Sequence, residues 1–269
     1  MDQAYTNAFI LGYERLAAWS DLLDQINVFP VADADTGRNL KISLAPLRHL
    51  DDRPAEVPRR ILMAATGNAG NIAAAFFHEL LKLDGPRAAA AVIQEGVRLA
   101  YRAVVDPKPG TMLTVLDVLS QAVSAVDWPP SELDLETIIH PLEKCVDETT
   151  DMLPELREAG VVDAGSLGMF VFLEAFLGEL TGSVKHVRPV TDRFGDKLRI
   201  ADGWQPYSRQ EQYCVSAVIR PELDLRNARR RLACCGNSLV VNEAANLLKV
   251  HVHTHDRRVL HSGLRQIGR

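Results

Sequence analysis

The stretch with the most chemistry in it is Asn27 to Leu40, NVFPVADADTGRNL. Asp33 and Asp35 stand one small residue apart. Their carboxylates are hard oxygen donors of the kind Mg²⁺ or Ca²⁺ prefers. Two anionic side chains this close repel each other unless a cation or a proton lies between them. Ala34 leaves the space between them open, and Asn39 falls one turn into the helix that follows, within reach of the same ion or a phosphate. Asp, Thr and Gly are also ordinary turn residues, so a surface turn that caps a helix is the plainer reading. The apolar flanks Val28, Phe29 and Val31 pin the loop against a core, and a pinned acidic loop needs a counter-charge more than a floating one.

Two further stretches carry chemical residue types. Thr66-Gly67-Asn68-Ala69-Gly70-Asn71 leads into the apolar run from Ile72 to Phe77. Two glycines at a helix start let the backbone approach a ligand and aim free N–H groups at a phosphate; the same glycines also serve tight helix packing. Near the C-terminus, Lys249-Val250-His251-Val252-His253-Thr254-His255 reads as a strand whose three histidines share one face. Cys214, on another predicted strand, completes a Cys/His set with His251 and His253. Thiolate and imidazole together suit Zn²⁺, and a small domain would gain stability from such a staple. The alternative is a half-exposed strand whose histidines meet solvent or pair with Asp256. Cys234 and Cys235 read as core or reserve ligands.

The elements that must position these residues are mostly helical. Phe9, Tyr13, Leu16, Leu23 and Ile26 recur at helical spacing and predict one amphipathic helix over 4–26. Thr36 is a plausible N-cap for a helix running to about Leu50, followed by the polar break Asp51 to Pro54. An alanine-rich helix is expected from Pro86 to Val105. Gly110-Thr111-Met112 opens another helix, and Ser131 caps one around 135–152. Asp163 reads as the cap of the apolar helix that carries Ala164 and Gly165. After about residue 182 the pattern changes. A polar stretch over 183–212 reads as a linker, and 213–269 gives the order β-α-β-β-α, with a basic run Arg229 to Arg231 on its first helix. The expected fold is therefore mainly α: an antiparallel helical bundle or barrel over 1–182, then a small α+β domain of about sixty residues, near the lower limit for a stable core.

With 269 residues, 47% apolar and 24% charged, the composition is that of a globular protein, and a net charge of −5 argues against a nucleic-acid-binding surface. No apolar run reaches the length of a membrane span, and the N-terminus lacks a charged-then-apolar signal pattern. Four irregularly spaced cysteines do not make a disulfide framework, so a reducing cytoplasm is the expected setting.

The acidic loop also resembles the metal loop of dihydroxyacetone-kinase L-type (DhaL-like) domains, in the version found in the nucleotide-binding subunit of bacterial fatty acid kinase. Val28-Phe29-Pro30-Val31 and Asp35-Thr36-Gly37 match that motif, with Ala34 in place of its Gly. The resemblance extends, in order, through Gly67 to Gly70, Gly110-Thr111-Met112-Leu113, Val161 to Gly165, and the strands YC, NSLVV and KVHVHT of the second domain. It implies that Asp33 and Asp35 hold Mg²⁺ against the phosphates of ATP or ADP. Thr36, Asn39, Gly67, Asn68, Ala69 and Gly70 would surround those phosphates. Gly110, Thr111 and Met112 would lie against the nucleotide, with Asp163, Ala164 and Gly165 closing over its base or sugar. Asn27 stands where a third aspartate sits in the dihydroxyacetone-kinase branch. The implied activity is a kinase component that phosphorylates a substrate, a fatty acid, carried by a partner protein, with an acyl phosphate as product; a homodimer is left open. A dihydroxyacetone (glycerone) kinase-type subunit is the second reading. The third is a non-catalytic nucleotide-binding regulatory or scaffold protein, favoured by Ala69 in place of the family's Ser and by the lack of the third domain of the longer family chains.

Overall fold

The structure is a computed structural model that describes residues 2–83, 89–183, 188–206, 213–244 and 246–269. The first part is a bundle built around helix α10 (Ala164–Thr181), which is apolar all round and buried over nearly its whole length. A helix without a polar face has to be surrounded. Contrary to the expectation that no apolar run is long enough for a membrane span, α10 is so by length and composition, but here it is the buried centre of the fold. Helix α1 (Gln3–Ala18) packs along it, and Phe9, Phe77, Phe172 and Phe176 interlock at ring-centroid distances of 4.7 to 6.5 Å. The single N-terminal helix expected over 4–26 is two helices. The chain breaks at Trp19 (φ −99°, ψ 3°) before α2 (Ser20–Gln25), which redirects the chain toward the acidic loop.

Helix α3 (Thr36–Leu44) begins immediately after that loop. Its N-cap is Asp35, not Thr36, and it ends sooner than expected, passing into a 3₁₀ turn over Ala45–His49. Gly37 lets α3 touch α2: a Cβ there would lie 1.9 Å from the Ser20 carbonyl oxygen. Helix α4 (Val57–Ala64), which the sequence pattern does not announce, precedes α5 (Gly67–Leu80). Helices α6 (Ala89–Ala103), α7 (Met112–Ser124) and α8 (Glu132–Met152) follow. The expected start of α6 at Pro86 lies outside the described residues. Ser131 caps α8 in a reciprocal capping box with Asp134. A short α9 (Pro154–Ala159) ends at Gly160 in the left-handed region (φ +68°) and leads to α10.

Within the stretch that reads as a linker, α11 (Val190–Phe194) and the 3₁₀ turn Gly195–Leu198 lie against the bundle. Val190, Phe194 and Leu198 are part of its core, and the buried Arg193 guanidinium pairs with Glu174 and with Glu143. Positions 184–187 and 207–212 of that stretch lie outside the described residues.

The C-terminal part is a three-stranded antiparallel sheet in the order β1-β3-β2, formed by β1 (Tyr213–Ile219), β2 (Asn237–Ala244) and β3 (Leu247–Thr254). Helices α12 (Leu225–Ala233) and α13 (Arg257–Arg265) complete the β-α-β-β-α order that the sequence predicts. Strand β3 is central and two-faced. Leu248, Val250 and Val252 join Ala228, Leu232 and Leu260 in the small domain's own core. Lys249, His251 and His253 alternate with them and face the opposite way. The register puts Cys214 opposite His253 and Ser216 opposite His251, with Asn242 opposite Lys249, so these residues share that second face. His255 lies beyond the end of the strand and is exposed, so it does not extend the row.

The second face is the one that meets the helical bundle. The Lys249 side chain, 8% exposed, donates to the carbonyl oxygens of Leu62 and Met63 at the end of α4, at 3.0 and 2.7 Å. A cation at a helix C-terminus satisfies carbonyls that have no helical partner. Asn242 Nδ2 donates to the Asn71 carbonyl of α5 at 2.8 Å. Val105 N–H donates to the Leu239 carbonyl, beside a β-bridge between Val104 and Val240. Arg229, expected on a solvated helix face, is half-buried instead and donates to the Val241 carbonyl. Arg230 and Arg231 are exposed.

Candidate functional site

The acidic loop is held from behind. Asn27, 4% exposed, donates through Nδ2 to the Val31 carbonyl (2.7 Å) and to Asp33 Oδ1 (3.2 Å), and its Oδ1 accepts from the Thr36 hydroxyl. Ala34 adopts φ +53°, in the left-handed region that an L side chain rarely enters. That turn sets the two carboxyls beside each other, close enough to share a hydrogen bond. Burial first, and the neighbouring Asp35 second, push the Asp33 carboxyl up to about 7.

Opposite the loop is the start of α5. Gly67 has φ +62°, and a Cβ there would collide with the Asn39 amide nitrogen at 2.0 Å; a Cβ on Gly70 would meet Ser43 Oγ at the same distance. Glycine is thus required on both backbone and contact grounds at 67. Thr66 makes no side-chain cap, nor do Asp35 at the start of α3 or Thr111 at the start of α7. At α3 the Arg38 N–H is taken by Asp24 Oδ1 at 3.0 Å, and at α7 the Met112 N–H is taken by Asp163; the first-turn N–H groups of α5, left uncapped by Thr66, are the natural partners of an anion. Asn68 Oδ1 is buried with no hydrogen-bond partner among the described residues.

The remaining wall comes from the small domain. A cavity of about 20 Å³ is lined by Asn27, Asp33, Asp35, Thr36, Asn39, Gly67, Asn68 and Ala69, and also by His251 and His253. The carboxylates and the histidines, which the sequence presents as two separate sets, border one space. His251 Nε2 and His253 Nε2 are 3.2 Å apart, and Cys214 Sγ is 4.0 Å from His251 Nε2. The ligand atoms of the three residues all lie within 4.8 Å of one another. Ser216 Oγ is 3.1 Å from His251 Nδ1. Burial holds His251 down to about 3, and it lowers His253 against the opposing pull of Asp35. Burial raises the Cys214 thiol, and Asp35 and Asp33 push the same way. Both imidazoles are therefore neutral, the form in which they act as metal ligands. The set fits a borderline-soft cation, and the oxygen donors of Asp33, Asp35, Asn39 and Asn68 fit a hard one.

A second cavity, of about 430 Å³, adjoins the first; Pro30, Thr36, Asn68 and Ala69 line both. Thr111, Met112, Asp163 and Gly165 line the larger space. Gly110 and Ala164 do not. Gly110 turns the chain (φ +78°) and its N–H donates to Thr114, while Ala164 is packed in the core. Gly70 lines neither and is a packing residue against Ser43. Asp163 is a cap: it accepts from Ser166 N–H and Oγ, both at 2.7 Å. Burial raises its carboxyl to about 6, against the lowering by those bonds and by the N–H groups of Met112 and Gly165. The sequence reading did not find Asn237 to Val240 and Ala233, which close the larger cavity from the small domain, nor the docking role of Lys249. The alternation in KVHVHT was the available signal for Lys249, since it puts the lysine on the histidines' face.

Two outcomes follow from the loop. Ala34→Gly relieves the left-handed strain of roughly 1–2 kcal/mol and loses roughly 0.4–1 kcal/mol to unfolded-chain entropy. Urea unfolding should then show an unchanged or higher stability, and a clear loss would contradict the loop geometry. For Asp33 the folded value of about 7 lies above the unfolded value of 3.8. Between those values the folded chain holds a proton that the unfolded chain does not, so the contribution of Asp33 to stability falls as pH rises from about 4 to 7. A divalent cation replaces that proton. Thermal melts should show little stabilisation by Mg²⁺ near pH 5 and a distinct rise near pH 8; a shift of equal size at both would count against Asp33 as a ligand.

Residues 30–178 match the family described as DAK2 domain, and residues 210–269 match the family described as the FakA-like middle domain, named for fatty acid kinase. Among similar curated proteins, Protein YloV of Bacillus subtilis is 28% identical over a region covering 94% of this chain and 51% of that protein. An uncharacterized protein of Staphylococcus epidermidis is 30% identical, covering 93% of this chain and 50% of the relative. The chain therefore spans about half the length of the curated relatives it matches. With an acidic loop, glycine-led helix starts and a two-faced β3 in the positions described, the chain belongs to the DAK2 domain family and carries a middle domain of the fatty acid kinase type after it.

Proposed function

We propose that this chain is the nucleotide-binding component of a kinase. It takes ATP as its Mg²⁺ complex and transfers the γ-phosphoryl group to a substrate carried by a partner protein. The single observation that carries the reading is the shared cavity. Two adjacent carboxylates, an uncapped helix N-terminus and an orphaned amide oxygen converge there, beside a larger space of nucleotide dimensions. Asp33 and Asp35 would hold Mg²⁺, with Asn39 and Asn68 as further oxygen donors. The N–H groups at Gly67, Asn68 and Ala69 would bind phosphate oxygens. Thr111, Met112, Asp163 and Gly165 would lie along the rest of the nucleotide. Bound Mg²⁺ supplies neutralisation of the charge that builds up on the transferring group. The protein's own part is positioning: the left-handed turn at Ala34 fixes the carboxylates, and the Asn39–Gly67 contact fixes α5 against them.

The middle-domain match supports a fatty acid as acceptor. Its carboxylate would take the γ-phosphoryl group, leaving ADP and an acyl phosphate. Cys214, His251 and His253 would hold Zn²⁺ once the thiol gives up its proton, at the point where the small domain faces the carboxylates. A second reading, binding without turnover, is favoured by one observation: Ala69 lines both cavities and brings no hydroxyl to either.

Nucleotide titration and ATP consumption, with Mg²⁺ and with or without a fatty-acid-binding partner, decide between the two. Turnover that requires the partner supports the kinase; tight binding with no turnover under any condition supports the second reading. Asp35→Ala should weaken Mg²⁺-dependent ATP binding at least tenfold, about 1.4 kcal/mol or more, with helix content unchanged by circular dichroism. Unaltered affinity would remove Asp35 from the site. Elemental analysis of protein never exposed to chelator should find one zinc per chain, reduced by His251→Ala. Metal-free protein with full activity would end the zinc assignment.

A further inference from the structure

The larger cavity has walls from both parts of the chain. Phe29, Ile72 and Met112 line it on the bundle side, and Ala233, Asn237, Ser238 and Leu239 line it on the small-domain side. Its volume of about 430 Å³ is in the usual range for small-molecule sites. The four residues it shares with the acidic cavity fix its direction. Among the described residues, this is the space that adjoins the start of α5 and can take the non-phosphate end of a ligand whose phosphates sit there.

The small-domain wall is a shaped feature. The pairing of β2 with β3 shifts register between Asn237 and Val240, and Ser238 within that shift adopts φ +53°. Bulges of this kind re-aim side chains and are frequent beside binding sites. The wall is also held in place. The Val105–Leu239 hydrogen bond and the Val104–Val240 bridge fasten it to the chain after α6. Asn242 donates to the Asn71 carbonyl, and Asn71 Nδ2 donates in turn to the Gly67 carbonyl at 2.7 Å. One line of hydrogen bonds thus runs from β2 to the glycine start of α5.

We propose that the base of the nucleotide is recognised across the seam, by the bulged start of β2 and the end of α12, so that a bound nucleotide spans the two parts of the chain. This rests on the nucleotide reading given above. It makes Ala233, Asn237 and Ser238 determinants of affinity for the base and leaves phosphate affinity to the bundle.

The test compares ATP with inorganic tripolyphosphate, which has the phosphates and no base, by calorimetric titration of the full chain with Mg²⁺. Ala233, at the end of α12, lines the larger cavity and not the acidic one, so Ala233→Trp adds bulk on the small-domain side, away from the carboxylates. The expected result is an ATP affinity at least tenfold weaker in Ala233→Trp, with tripolyphosphate affinity unchanged. Equal ATP affinity in the variant and the native chain overturns the proposal while leaving the nucleotide reading intact. A native chain that binds neither compound overturns both. Hydrogen exchange on the native chain needs no variant. ATP, and not tripolyphosphate, should slow exchange of the amides over 236–240; equal protection by both would refute recognition across the seam.

Discussion

Two carboxyl groups held side by side at the mouth of a small cleft are the constraint on which the rest of this structure depends. Among the described residues, the lining of that space contains no lysine or arginine. The two histidines opposite are neutral because they are buried. Asn27 gives Asp33 one hydrogen bond, and the ends of α3 and α5 contribute only partial positive charge. Full compensation has to come from a mobile cation or from a proton, and burial and the neighbouring Asp35 push the Asp33 carboxyl toward holding one. A fold that placed an arginine here would be content without a ligand. This one is arranged so that the charge stays unanswered until something enters.

The architecture follows from bringing that loop and two helix ends within contact distance. Gly37 removes the side chain that would hold α3 off α2, and Gly67 and Gly70 do the same for α5 against α3. Behind them the interlocked phenylalanines and the buried, mostly apolar α10 form a close-packed support, which resists the small displacements that would separate the carboxylates. The small domain adds the last wall with one face of a single strand, and Lys249 and Asn242 on that same face hold it there.

Much of this was legible in the residue order. The acidic loop, the glycine helix starts and all three strands were visible because local chemistry and short-range periodicity determine them. The break at Trp19 was not, because Leu16, Leu23 and Ile26 keep helical spacing across it; a change of direction costs nothing in periodicity. Helix α4 was hidden by its brevity, with Val57 and Ile61 as its only buried residues. The largest gap concerns pairs distant in the chain. Asp35 and His253 are far apart in sequence, and no local pattern says that they border one cavity. Arg229 misled in the same way, since a basic run reads as solvated until the strand that accepts its hydrogen bond is in view. Asp163 was readable either as a cap or as a ligand contact. The structure shows the cap, and it also brings the residue to the larger cavity.

Strand β3 has valines on one side and a lysine and two histidines on the other, and side chains on a strand alternate strictly. Adding or deleting one residue in the hairpin that precedes it, where Asn246 already turns with φ +63°, would exchange the two sets wholesale. The imidazoles would enter an oily interior and the valines would confront the carboxylates. The length of one short hairpin is therefore a parity bit on which both the small domain's stability and its chemistry are written.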